Sequence, residues 1–185
     1  MKKYKYTPKT KEELKALVKD ESIHLGDIDT SNITNMSGLF ADFTRIDFSG
    51  IETWDVSNVR DMSWMFYHCK SFNQDISGWN VSKSENMAYM FHGCHYFNQP
   101  LGRWNVSNVE SMAGMFWGCE NFNQPLEKWN TSKVKNMSWM FKNTISFNQS
   151  LNDWNVSRVE DTDDMFLNCP IDNSNKPEAL QELSI

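Results

Sequence analysis

Apolar and polar positions recur along this chain every 25 residues. Tryptophans mark the period: Trp54, Trp79, Trp104, Trp129 and Trp154. With each Trp as position 1, the units share W-[ND]-V-S-x-V-x-x-M-x-x-M-F-x-[GN]-C-x-x-F-N-Q-x-[IL]-x-x, and a degenerate unit of 26 residues begins at Ile28. A fixed period of roughly 20–50 residues marks a stack in which each unit buries its apolar side only against its neighbours. Residues common to every unit serve that stacking. Information about a partner must then lie at positions that differ between units.

Within a unit the pattern changes period. Leu101, Trp104 and Val106 alternate as in a short half-buried strand, with Trp and Val inward. Val109, Met112, Phe116 and Cys119 follow at steps of three and four, the spacing of an amphipathic helix. Ser107 with Glu110 reads as a capping box, repeated by Ser82 with Glu85 and Ser157 with Glu160. Where Arg60 and Lys135 replace the acid, only the Ser cap remains. Position 15 holds Asp42, His68, Gly93, Gly118, Asn143 and Asn168, residues suited to the left-handed conformation that stops a helix. A Phe-Asn-Gln turn follows, stiffened in two units by Pro100 and Pro125.

One strand and one short helix per unit predict an α/β repeat: a right-handed leucine-rich-repeat-like solenoid of about six coils with helical end caps. A pure β-helix would leave the helical spacing unexplained. The chain divides as a single domain into an N-terminal cap (1–27), repeats (28–169) and a C-terminal cap (170–185). Leu14, Leu17 and Val18 predict a capping helix over 10–19. Asp161, Asp163 and Asp164 charge the last repeat, Pro170 stops it, and Pro177 to Leu183 suggest a final small helix.

The repeated motif resembles the bacterial surface protein repeat of about 25–26 residues (BspA-like and mycoplasma lipoprotein-like repeats), over roughly Ile28 to Cys169. The resemblance implies a leucine-rich-repeat-related fold and a role in adhesion or protein–protein contact, commonly on the cell surface. It supplies no catalytic residues. Members of that family commonly carry an export signal or lipid anchor, and none is visible in this sequence.

Composition narrows the partners. A net charge of -6 and a pI near 5.2 argue against nucleic acid, whose binding requires Lys and Arg against phosphates. A mean hydropathy of -0.61 argues against membrane insertion. The basic start, Lys2-Lys3-Tyr4-Lys5, leads into polar residues and not into the apolar run of a secretory signal. A cytoplasmic location is the simplest expectation, with surface display by another route as the alternative.

Cys69, Cys94, Cys119 and Cys169 share position 16 with Thr144, which favours buried free thiols over disulfides between neighbouring units. His92, Cys94 and His95 lie close in sequence, but other units offer no matching ligands, so no metal and no cofactor are expected. Asn73, Asn98, Asn123 and Asn148 read as structural, bonding the backbone where the chain turns; the following Gln residues are open. Position 2 (Asp55, Asn80, Asn105, Asn130, Asn155) faces outward by strand alternation, as a self-satisfied ladder or a ligand surface. Position 11 (Trp64, Tyr89, Gly114, Trp139, Asp164) and position 14 (Tyr67, His92, Trp117, Lys142, Leu167) vary between units. Three apart on a helix, they share a side. Trp64, Tyr67, Tyr89, His92, Trp117 and Trp139 then either receive a partner or fill grooves between helices. Charges at positions 5 and 7 read as a solvated face. No Gly-rich phosphate loop, G-x-S-x-G elbow or H-E-x-x-H occurs. The expectation is a non-catalytic module recognising another protein, of host or bacterial origin. The alternative is a structural protein that self-associates.

Overall fold

The computed structural model describes residues 4–181. The 25-residue units do stack: single parallel bridges align Asn35, Asp61, Asn86, Ser111, Asn136 and Asp161, one from each unit. The expected strand and helix are absent from every unit. Among the described residues the only α-helix is α1, Lys11–Lys19, and no strand extends beyond an isolated bridge. The leucine-rich-repeat-like α/β assignment is therefore incorrect. Each unit is instead a succession of turns.

Backbone hydrogen bonding explains why. Met62, Trp64, Phe66 and His68 donate their N–H groups to Asn86, Ala88, Met90 and His92 of the next unit at 2.7–2.9 Å. Met65, Tyr67 and Cys69 fold back onto Met62, Trp64 and Phe66. The same alternation runs through 36–43, 87–94, 112–119 and 137–144. An α-helix commits every N–H to the carbonyl four residues back. Here alternate donors bind the neighbouring unit, so tertiary pairing overrides the helical spacing while still giving these alternate donors acceptors.

The apolar columns pack as the repeat demands. Phe40, Phe66, Phe91, Phe116, Phe141 and Phe166 stack with ring centroids 5.5–5.9 Å apart. Phe72, Phe97, Phe122 and Phe147 form a parallel file at 5.6–6.0 Å. The five periodic tryptophans are inward, each no more than 4% exposed. Their indole N–H groups donate to carbonyls 28 or 29 residues back, at Leu25 of the N-terminal cap and at Ile51, Ile76, Leu101 and Leu126 of the preceding units. Tryptophan thus supplies both burial, worth about 2–3 kcal/mol per large side chain, and a second hydrogen bond to a carbonyl that already accepts a backbone turn bond.

Position 16 works the same way. The thiols of Cys69, Cys94 and Cys119 donate to the carbonyls of Phe40, Phe66 and Phe91, and Thr144 donates its hydroxyl to Phe116. All four cysteines are free. Burial pushes the Cys69 thiol up to about 12, and Cys94 and Cys119 rise for the same reason.

The first unit is closed by α1. Thr10 caps it by accepting from the Glu13 N–H, and Leu14 and Val18 are buried against the first unit. Lys11 reaches the Ser37 hydroxyl and Lys15 the Gly38 carbonyl. Buried Arg45 holds the junction by donating to the carbonyls of Asp47, Val18 and Ile23. Towards the C-terminus the expected small helix is one short 3-10 turn, Glu178–Leu180. Residues 182–185, where the rest of that element was expected, lie outside the described residues.

Candidate recognition surface

Positions 2 and 20 are occupied by local structure. Asp55, Asn80, Asn105, Asn130 and Asn155 are exposed, and each side-chain oxygen accepts from the backbone N–H of the Ser two residues on. These are Asx turns. The Ser residues read as helix caps donate their backbone N–H groups in these turns, with no helix to cap. Asn73, Asn98 and Asn123 accept from the backbone N–H of Asn98, Asn123 and Asn148 in the next unit. Gln99, Gln124 and Gln149 reach back to the Asn of the preceding unit. Both residues of the pair therefore belong to the ladder.

Positions 11 and 14 are different. Trp64 lies over Tyr89 with ring centroids 4.3 Å apart, and Tyr67 is 4.8 Å from Trp64. His92 lies 4.9 Å from Tyr67 and meets Trp117 edge-on at 4.4 Å. Trp117 reaches Trp139 at 6.2 Å, and the Lys142 ammonium sits 5.2 Å from the Trp117 ring. All six aromatic candidates form one strip across four consecutive units. The rings pack on one another at the surface. Trp64 is 40% exposed, the others partly buried.

The backbone beneath the strip is unusual. Position 11 is left-handed in every unit: Gly38, Trp64, Tyr89, Gly114, Trp139 and Asp164 have φ of 51–61°. Holding an L-residue there costs about 1–2 kcal/mol, and bulky side chains are rare in it. The turn geometry demands this conformation, and the helix reading of positions 11 and 14 missed it. Glycine at 38 and 114 and aspartate at 164 were the available signal. Gly114 also provides a seat: a Cβ there would lie 2.4 Å from the Tyr89 ring.

The strip includes an imidazole without a hydrogen bond. The Nδ1 of His92 is buried and has no partner among the described residues. Burial, then the neighbouring His68 and His95, hold its pKa down at about 4. Cys94 is turned into the core towards Phe66, and His95 lies 3.8 Å from Glu120. The three residues do not converge on one point. Among the described residues no group of three or more His, Cys, Asp or Glu could hold a metal, and no helix is long and apolar enough to cross a membrane.

Invariant stacking columns with a variable aromatic skin define a repeat protein. The family model described as "Mycoplasma protein of unknown function, DUF285" matches residues 12–119 and again 100–178. These matches span most of the chain, which belongs to that family. No curated protein and no solved structure matches it.

Proposed function

We propose that this DUF285 member is a non-catalytic recognition module that takes a polypeptide segment on its aromatic strip. The observation that carries the reading is the positive φ of Trp64, Tyr89 and Trp139. Glycine or aspartate meets the same backbone demand in the other units, so the rings answer a need other than the turn. Strained positions of this kind cluster at functional sites. Tryptophan and tyrosine are also the residues that dominate protein interfaces.

The partner segment carries cationic and aromatic side chains. Lys142 over Trp117 shows that a ring face in the strip accepts an ammonium group, and the chain's charge of -6 favours a basic partner. The resemblance to bacterial surface repeats extends this reading to adhesion. A random peptide library displayed on phage, selected on the wild-type chain, tests it. Selected peptides should share basic and aromatic residues and lose binding to Trp64→Gly/Tyr89→Gly/Trp139→Gly. Selected peptides that bind both proteins alike would overturn the proposal, as would a selection that converges on no motif.

A further inference from the structure

The repeat ladder ends in an unused half. In the unit beginning at Trp154, the turn bonds are intact: Met165, Leu167 and Cys169 fold back onto Thr162, Asp164 and Phe166 at 3.0 Å. The alternate donors are Thr162, Asp164, Phe166 and Asn168. In each earlier unit their counterparts bind carbonyls of the following unit, but here these four N–H groups have no acceptor among the described residues. They stand in one row at two-residue spacing. Beside them lies a cavity of about 370 Å³ lined by Thr162, Asp164, Met165, Phe166, Lys176 and Leu180. The phenylalanine column breaks off there too: Phe40, Phe66, Phe91, Phe116 and Phe141 are fully buried and Phe166 is not.

We infer that this edge binds an extended segment of a partner polypeptide, which adds to the stack as one further turn. Five internal interfaces specify the occupant. Each places four carbonyls, from positions 8, 10, 12 and 14 of the following unit, against such a donor row. Unpaired edges of this type are the template for added strands. The occupant is basic. Position 7 pairs Arg60 with Glu85 and Glu110 with Lys135 between units, whereas Glu160 and Asp163 meet no cation among the described residues. A second copy stacked head to tail is disfavoured, because α1 covers the carbonyl end of the first unit. Tail to tail, donors would face donors.

The probe is a fluorescein-labelled peptide of the chain's own residues 133–149, added to the intact protein. It carries the carbonyl row 136, 138, 140 and 142, and Lys135 to meet Glu160. Fluorescence anisotropy should show saturable one-to-one binding, weakened on the order of tenfold or more in Glu160→Lys/Asp163→Lys. The amide signals of Thr162, Asp164, Phe166 and Asn168 should shift on binding and become protected from exchange. Absence of saturable binding overturns the inference, and so does equal binding of a scrambled peptide. Shifts confined to Trp64, Tyr89 and Trp139 would transfer the site to the aromatic strip. Concentration-dependent light scattering by the protein alone would name a second copy as the occupant and overturn it as well.

Discussion

Positions 11 and 15 share one backbone conformation and almost nothing else. Both are left-handed in every unit, with φ between 51° and 73°. Position 15 carries Asp42, His68, Gly93, Gly118, Asn143 and Asn168, residue types enriched in this region or free of its cost. Position 11 carries glycine or aspartate in three units and an aromatic ring in the other three. The first column shows what the turn requires. The second shows what has been added at its expense, and the addition is the continuous strip from Trp64 to Trp139.

Replacing the tolerated residue types at position 15 should give the largest losses. Gly118→Val should destabilise by about 2 kcal/mol through backbone strain alone, since its Cβ would meet nothing closer than 3.8 Å. Gly93→Val should cost about 1–2 kcal/mol more, because its Cβ would lie 2.6 Å from the His68 ring. Urea denaturation of both variants measures the difference, which a His68→Ala background should largely remove.

Position 16 sets the scale for a column with a purely structural task. Thr144→Val keeps the shape, removes the second hydrogen bond to the Phe116 carbonyl, which still accepts from the Cys119 N–H, and should cost about 1 kcal/mol. Cys119→Thr retains a donor to Phe91 and should cost less than about 1 kcal/mol. A larger loss from Cys119→Thr than from Thr144→Val would show that volume, and not the hydrogen bond, governs the column.

An effect confined to acid pH concerns the ring between the two aromatic halves. His92 in the folded chain has a pKa of about 4, below its ordinary 6.5. The unfolded chain therefore takes up its proton first as pH falls. The stability that neutral His92 contributes is whole above about 6.5 and is lost progressively towards 4. His92→Phe should flatten this part of the pH dependence of the urea midpoint. The Asx-turn carboxyls of Asp55 and Asp75 are held low by hydrogen bonds from Ser57 and Ser77. Their contribution falls away only at more acid pH, so the two effects separate.

Much of the stack was legible from spacing. The period, the inward tryptophans, the α1 cap and the left-handed position 15 all follow from residue types and intervals. The helix in each unit does not exist because periodicity reports which side chains are buried, not where backbone donors go. Met62, Met65, Phe66 and Cys69 face inward at helical intervals, yet half of that segment's N–H groups serve the next unit. The aromatic candidates were brought together for a different reason from the one that selected them. Successive turns, and not a helix face, put Trp64 beside Tyr67. The last unit was legible as atypical, with Thr162 in place of Met and Asp163 and Asp164 beside it, but the open donor row was not, since side-chain identity does not report which backbone N–H groups lack an acceptor.

We hold that the rings of position 11 are carried by the fold and do not hold it together. Equilibrium urea denaturation of Trp64→Gly/Tyr89→Gly/Trp139→Gly addresses it directly. Relief of about 1–2 kcal/mol of strain at each site offsets lost stacking of about 0.5–1.5 kcal/mol and the added freedom of glycine in the unfolded chain. The variant should remain folded, with a stability within about 2 kcal/mol of the wild type. A loss of more than about 5 kcal/mol, comparable to emptying the core, would contradict the account and make the strip part of the packing.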